Sequence, residues 1–388
     1  MHPAPAVSGA VLLALAFFYA GLMVRYARGL RRVLARTLPP LPPDPPLVSV
    51  VVPARDEAEH LDACVRSVLD NEYPARCFEV IVVDDFSRDE TAAVVRAVQA
   101  EAGRDRVRVL RLADRVPDEA DGHKGAALAW GIHEAGGRLI LTTDADCTVE
   151  PGWIEGMVRA FRSARVGFVA GPVRMEPGRG LFGRLQALEF AGLVGVGAGA
   201  LGAGVPNMCN SASVAYPRRV FEAMRVVVDE ESPSPWDDEL MLQRIAAHPT
   251  LEAAFTPLPD AVVTTHAERS WAAFWRQRRR WAATGARYPN RPLVASLRLV
   301  WAFYAALLAS AGLAFVWAGF WPFVTAAFVV KVAAEALVLV PITRHLGQSR
   351  LLVWFLPEQL LQVPYVVAVG LAGALGRPEW KGRRFEPA

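Results

Sequence analysis

The sequence predicts a layered α/β domain attached to a membrane by apolar helices. Two observations carry that prediction. Between residues 47 and 146 short β-branched runs alternate with amphipathic helical patterns, as in a mostly parallel sheet. On either side of the polar middle, hydrophobic residues (53% of the 388 overall) gather into long runs. Each run comes near the about 20 apolar residues that cross a hydrocarbon core.

The first run, VSGAVLLALAFFYAGLMV from Val7, has no basic residue before it and is followed by Arg25, Arg28, Arg31, Arg32 and Arg36. A secretory signal peptide has the opposite polarity. Basic flanks stay in the cytoplasm. Residues 1–37 therefore read as an uncleaved anchor and its basic flank, with the N-terminus outside and the polar middle in the cytosol. The expected location is the inner (plasma) membrane, with several passes. Residues 38–46, LPPLPPDPP, form a proline-rich linker, since proline at this density favours stiff polyproline II over helix.

A catalytic domain is expected over residues 47–290. LVSVVVPA (Leu47–Ala54) reads as a buried strand, AEHLDACVRSVLDN as a helix and FEVIVVDD (Phe78–Asp85) as a second strand. RDETAAVVRAVQAEAG is a second helix, VRVLRLA a third strand, HKGAALAWGIHEAG a third helix, and RLILTTDAD (Arg138–Asp146) a fourth strand. Ligands of such sheets bind beyond the carboxyl ends of the strands, where the acidic clusters lie. The glycine-rich stretch from Gly180 to Pro206 contains Glu189 and fits an apolar span poorly, so a helix and loop near the bilayer surface is expected.

Residues 291–376 hold three more apolar runs, and residues 377–388 a basic tail. Lys331 and Glu335 are four apart on one helix face and would neutralise each other inside a bundle. The last run is interrupted by Pro357, Glu358, Gln359, Gln362 and Pro364, and reads either as a broken span or as a surface helix with a re-entrant piece. Three crossings would leave the tail outside, whereas its charge favours the cytosol. The net charge of +3 is too small to speak for or against nucleic acid, and the sequence shows neither a broad basic surface nor a recognised nucleic-acid module. Cys64, Cys77, Cys147 and Cys209 have no metal-type spacing and read as reduced thiols.

Three carboxylate clusters stand at strand ends or in loops: Asp84–Asp85, Asp144–Asp146 and Asp237–Asp238–Glu239. The D-x-D of TTDADC suits a hard cation, Mg²⁺ or Mn²⁺, although two solvated loop acids would give the same pattern. The pattern does not stand alone. VVVPARDEAEHLDACVRSVL, EVIVVDDFSRDET, GHKGAALAWGI, LTTDADCTVEPGW, NSASVAYPRRVF, WDDELMLQRI and QRRRW follow in this order. Together, over Val48 to Trp281, they closely resemble the inverting, nucleotide-sugar-dependent glycosyltransferases of family 2, and the flanking helices resemble its membrane-bound branch.

The resemblance implies an A-type glycosyltransferase fold and assigns roles to matching positions. Pro53, Ala54, Arg55 and Glu57 would hold the nucleoside, with Asp84 and Asp85 bonded to uracil and ribose. Lys124 would approach the base or diphosphate. Asp144 and Asp146 would hold the metal, Mg²⁺ or Mn²⁺, against the diphosphate of a UDP-sugar, and His266 is a further candidate ligand. WDDELMLQRI matches the family's E-D motif, which makes Asp238 the base; Asp237 stands where glutamate is commoner.

In FWRQRRRWAATG, Gln277, Arg280, Trp281 and Thr284 share an arc of about 100° on a helix. The match to the family's Q-x-x-R-W motif implies Arg280 on phosphate oxygens and Trp281 as an apolar wall for the acceptor. The other arginines, with Trp271 and Trp275, fit an interfacial helix. The expected reaction is inverting sugar transfer to a hydroxyl of a membrane lipid, as in ceramide and bacterial carotenoid glucosyltransferases, with no protein partner. A processive polysaccharide synthase, a polyprenyl-phosphate glycosyltransferase and an inactive membrane scaffold are the alternatives.

Overall fold

The structure, a computed structural model, describes residues 3–116, 123–228, 238–285, 288, 290–375, 379–380 and 383–384. The chain divides into two compact units. An α/β unit comprises Arg31–Glu176 and Ala200–His266, and a helical unit comprises Met1–Leu30, Pro177–Gly199 and Ala267–Ala388.

Helix α1 (Pro3–Leu34) opens the chain. Then follow β1 (Val48–Ala54), α2 (Leu61–Leu69), β2 (Phe78–Asp84), α3 (Thr91–Ala102), β3 (Val107–Arg111), α4 (Lys124–Glu134) and β4 (Leu139–Thr142). Next come β5 (Thr148–Val149), α5 (Trp153–Arg159), β6 (Val166–Ala170), β7 (Val173–Glu176) and the long helix α6 (Leu181–Gly202). The α/β unit resumes with β8 (Val214–Pro217), α7 (Arg218–Val228), α8 (Asp238–Ala247), β9 (Glu252–Phe255) and β10 (Val263–His266). Helices α9 (Trp271–Gly285), α10 (Arg291–Ala314), α11 (Trp321–His345) and α12 (Phe355–Leu375) and the short pair β11 (Glu379–Trp380) and β12 (Arg383–Arg384) complete it.

Seven strands form one sheet in the order β3-β2-β1-β4-β8-β6-β9. The first four are parallel, and β8 runs antiparallel to both of its neighbours. Every residue of β1 except Pro53 is buried, as expected of a parallel strand covered on both faces. Its β-branched side chains suit that pleated interior. The strand order reverses between β1 and β4, so their carboxyl ends flank the topological switch point where such sheets open a crevice. A second sheet, β5-β10-β7, lies beyond β4. The fourth strand ends at Thr142, short of the expected Asp146, which leaves both aspartates of D-x-D in the loop beyond it.

The linker is tied to the α/β unit: Arg159 donates from Nε to the Pro39 carbonyl at 2.7 Å and from Nη2 to that of Leu38 at 3.3 Å. All four cysteines are free thiols.

Among the described residues, five helices are long and apolar enough to cross a membrane: Val7–Leu34, Leu181–Gly202, Arg291–Ala314, Ala318–His345 and Ser349–Leu375. The second is α6, one continuous helix where a helix and loop were expected. In chain order β7 precedes α6 and β8 follows it, so strands of the α/β unit stand on both sides of this helix in the sequence. Its glycines serve packing. A Cβ on Gly195 would stand 2.9 Å from the side chains of Val338 and Ile342, and one on Gly199 would collide with the Tyr26 carbonyl.

Inside the helical unit one polar cluster joins α1, α10, α11 and α12. Lys331 is fully buried, and its ammonium group donates to Glu335 at 3.0 Å, Gln359 at 2.6 Å and Gln362 at 2.5 Å. These are all three donors of the group. The hydroxyls of Tyr19 and Tyr304 reach the same Glu335 oxygen at 2.6 and 2.7 Å, and Gln359 bonds both Glu335 and Glu358. The polar residues of the last run are thus the partners that a lysine and glutamate in an apolar bundle require. The helix of that run is unbroken: Pro364 is accommodated within a continuous α12.

Helix α12 also lies along α9. The rings of Phe274 and Tyr365 are 5.6 Å apart, and a Cβ on Gly373 would come 2.7 Å from that of Ala282. Equal steps along both helices therefore keep them in contact, which makes them parallel neighbours. Strand β11, just after α12, also contacts α9.

Candidate active site

In the α/β unit the loops after β1 and β2 are laced together. Asp56 and Phe86 adopt positive φ, 50° and 54°, a region that non-glycine residues seldom occupy outside strained or functional loops. Cross-bonds hold them there. Ser87 Oγ accepts from the Asp56 amide at 3.1 Å, and Asp56 Oδ1 accepts from the Arg88 amide at 2.8 Å. The amides of Glu57 and Ala58 donate to Thr91 Oγ1 at 2.8 Å and to Asp89 at 3.1 Å. Burial would raise the Asp89 carboxyl, but bonds from the Thr91 hydroxyl and backbone amides outweigh it and hold the group below the usual carboxylate range.

The expected nucleoside residues gather on this lattice. Pro53 and Ala54 end β1, and Asp84 ends β2, its Oδ1 accepting from the Ser87 amide at 3.2 Å. Asp85 is 1% exposed; Arg55 donates to its carbonyl at 3.1 Å and stands 3.8 Å from its carboxylate. Glu57 faces His60, with 3.4 Å between Oε2 and Nδ1. Arg55, Glu57, Asp84 and Asp85 thus ring the carboxyl ends of two adjacent parallel strands.

Beyond β4, the ligand atoms of Asp144, Asp146 and Cys147 lie within 4.8 Å of one another. Two carboxylates at this separation suit a hard divalent cation. The Cys147 thiol is pushed far up by burial and then by the charges of Asp146 and Asp144, as is that of Cys64, so the oxygen atoms dominate the donor set. Lys124, at the start of α4, bonds Asp144 and also donates to Ser211 Oγ at 2.9 Å. His123 caps the same helix, its Nδ1 accepting from the Ala126 amide at 3.1 Å. Lys124 is thereby aimed at the D-x-D loop.

His266 ends β10 and is exposed, its ring centroid 5.9 Å from that of His60. The antiparallel register pairs Thr264 with Thr148, and Thr265 bonds the Cys147 thiol. That pairing ends at Thr148, and the ligand group at the D-x-D loop comprises Asp144, Asp146 and Cys147 without His266. Asp238 is the first residue of α8 and 7% exposed. It faces β8: the Tyr216 phenol is pushed up by burial and by the Asp238 charge. Asp237 lies outside the described residues. Three residues of this neighbourhood were not singled out as site residues from sequence: Cys147, Ser87 and Ser211. Ser211 sits in NSASVAY, where a lone serine gives no separate signal.

The Q-x-x-R-W residues belong to the helical unit. Gln277 Nε2 donates to Glu268 Oε1 at 3.0 Å, and Gln186 in turn bonds the Glu268 backbone. Trp281 is covered on one face by the Arg278 guanidinium, 4.3 Å from its ring centroid. Arg279 and Arg280 are half-buried. Arg278, expected among the interfacial anchors, is 2% exposed and paired with Glu189 at 2.7 Å, so it is buried inside the unit.

Comparison with known proteins agrees with this arrangement. A β-monoglucosyldiacylglycerol synthase of Trichormus variabilis is 31% identical over 124 residues, 32% of this chain and 25% of its own. A poly-β-1,6-N-acetyl-D-glucosamine synthase of Staphylococcus epidermidis is 23% identical over 243 residues, 61% of this chain and 54% of its own. The chain thus spans a quarter to about half the length of these relatives. A mannosyltransferase of Pyrobaculum calidifontis, solved with GDP-Man and Mn²⁺, superposes with a TM-score of 0.61 at 20% identity, covering 95% of this chain and 99% of its own. That likeness shows the A-type glycosyltransferase fold with its mostly parallel sheet. The sequence model described as glycosyltransferase like family 2 matches residues 45–284. With the laced nucleotide-side loops and the D-x-D loop inside that match, the chain belongs to glycosyltransferase family 2.

Proposed function

We propose that the protein is a membrane-bound hexosyltransferase that moves a sugar, with inversion, from a nucleotide-sugar, a UDP-sugar, to a hydroxyl of a lipid acceptor. The observation that carries this reading is the convergence of Asp144 and Asp146 beside Lys124 at the switch point of the sheet. Arg55, Glu57, Asp84 and Asp85 hold the nucleoside. Asp144 and Asp146 hold a divalent cation, Mg²⁺ or Mn²⁺, with His266 kept as a candidate further ligand on the motif resemblance alone. When bound, that cation offsets negative charge on the diphosphate.

Asp238 takes the proton from the acceptor hydroxyl. The freed oxygen attacks the anomeric carbon from the face opposite the diphosphate. The new glycosidic bond forms as the bond to the diphosphate oxygen breaks, and that oxygen leaves with the electron pair. Lys124 and Arg280 stabilise the departing charge, Arg280 with a fork of donors matched to phosphate oxygens. Trp281 supplies an apolar wall for the acceptor, with Gln277 in the same motif.

A lipid acceptor is favoured by the apolar helices that flank the α/β unit and by likeness to a glycolipid synthase. The basic flank of α1 favours an α/β unit on the cytoplasmic side of the inner membrane. Two crossings by α10 and α11, with α12 returning beside α9, bring the basic tail to that same side. A polysaccharide product is the second reading, favoured by the longer match to a polysaccharide synthase.

The test is turnover of a panel of UDP-sugars and GDP-mannose by purified protein, with Mn²⁺ or Mg²⁺ and total membrane lipid. Metal-dependent nucleotide release that Asp146→Ala abolishes, with one sugar attached per lipid, fits the proposal. A ladder of polymer lengths replaces the lipid reading by the second one. Nucleotide release by Asp146→Ala equal to that of wild type sinks the assigned site.

A further inference from the structure

Of the three consecutive arginines in QRRRW, two are half-buried and one is enclosed. Arg278 gives Nη2 to Glu189 Oε2 at 2.7 Å and Nε to both Glu189 oxygens at 3.1 and 3.3 Å. Its Nη1 donates to Gln277 Oε1 at 2.5 Å. The guanidinium plane is sandwiched by Phe274 and Trp281, at 4.7 and 4.3 Å from the ring centroids. On the far side, Tyr365 donates its hydroxyl to Glu189 Oε1 at 2.9 Å. Burial alone would lower the Arg278 pKa; the Glu189 carboxylate outweighs it, so the guanidinium stays charged.

We infer that Arg278 and Glu189 form a clamp that orients the α9 helix, making both of them positioning residues for Arg280 and Trp281; this rests on the function proposed above. Successive helical residues turn by about 100°, so Arg278 and Arg280 point about 200° apart. Fixing one on the packed side turns the other to the opposite side. The clamp spans three helices: Glu189 stands on α6, Arg278 on α9 and Tyr365 on α12. Trp281 is held directly, through the stacked guanidinium, and Gln277 through its bond to Arg278. A lysine cannot replace this arginine, because a point-like ammonium lacks both the planar stack and the donor fork.

The test compares wild type, Arg278→Lys, Arg280→Lys and the double variant in full-length protein in nanodiscs. Sugar-transfer kcat, donor KM and calorimetric binding of UDP with Mn²⁺ are measured together with the thermal midpoint. Arg278 acts through Arg280, so Arg278→Lys is expected to lower kcat by about tenfold or more with donor KM within about twofold. The double variant should then be no slower than Arg280→Lys alone, because residues acting through one contact are not additive. Tyr365→Phe, which removes one bond and no charge, serves if Arg278→Lys fails to fold. It should lower kcat about two- to fivefold, and the loss should disappear on the Arg280→Lys background.

Multiplying losses in the double variant, or kcat falling in step with donor affinity and thermal midpoint, overturn the clamp and leave the pair a purely stabilising contact. A wild type that transfers no sugar from any donor, while still binding UDP and Mn²⁺, refutes instead the function on which the clamp rests.

Discussion

The carboxylate of the D-x-D loop and the acids of the helical unit meet opposite surroundings. In the α/β unit Asp144 stays about a third exposed, and its lysine partner is equally open to solvent. In the helical unit Glu189 and Glu335 are held against Arg278 and Lys331, cations 2% and 0% exposed. A carboxylate in a loop beyond a strand end can be solvated until a ligand comes, whereas one inside an apolar bundle needs a permanent partner, because an isolated buried charge is very costly. Between the two stand Asp84, Asp85 and Asp238, which are buried although they lie in the α/β unit.

Asp238, a buried acid of the α/β unit, tests whether burial by itself marks an architectural role. Asp238→Asn keeps the shape of the carboxylate and removes the proposed base, so kcat should fall by about 10²–10⁴-fold with the thermal midpoint nearly unchanged. Steady-state transfer assays beside a melting curve read both. A loss of folding with activity would instead group Asp238 with Glu189 and Glu335.

Lys331→Met should do the reverse. Removing the cation leaves Glu335 without its ion-pair partner in a buried cluster, and breaking such a pair costs about 3–5 kcal/mol. Lys331→Met combined with Glu335→Leu should recover most of that, since apolar residues of similar volume often replace a buried pair without loss. Stability in detergent, followed by thermal aggregation, decides between the two. A single variant as stable as wild type would break the contrast between the units.

Packing around α6 gives a smaller effect. Gly195→Leu drives a side chain into Val338 and Ile342, and overpacking of this kind costs about 1–3 kcal/mol. The same melting assay measures it, and kcat per folded molecule should hold.

The smallest effect concerns Asp89. Its folded pKa lies below the usual carboxylate range, so its contribution is present above the unfolded pKa and lost as pH falls through the folded one. Asp89→Asn should therefore lower stability slightly at neutral pH and leave it unchanged near pH 2, as denaturant titrations at the two pH values would show. Equal offsets at both would remove the carboxylate's charge from the account.

Much of this was legible from residue order. The parallel core could be read because β1 and β2 are nearly unbroken β-branched runs, and burial on both faces leaves that mark. The D-x-D loop, Lys124 and the acids after β1 and β2 stood out because they fall in an ordered series of motifs that resembles family 2, not because any of them is distinctive alone. The Lys331–Glu335 pair could be read because its members are one helical turn apart. Arg278 could not be separated from its neighbours, since its partner Glu189 is 89 residues away. One signal did exist: an acid in a glycine-rich apolar segment implies a buried cation somewhere.

By itself, then, the sequence determined the fold class, the strands that meet at the switch point and the residue types available for nucleotide, metal and base. Those are local consequences of periodicity and side-chain chemistry. Tertiary structure alone decided which arginine of QRRRW is enclosed and that the polar residues of α12 complete the Lys331 cluster. Such outcomes depend on pairing between segments far apart in the chain, and a buried charge is satisfied by whichever partner folding brings to it.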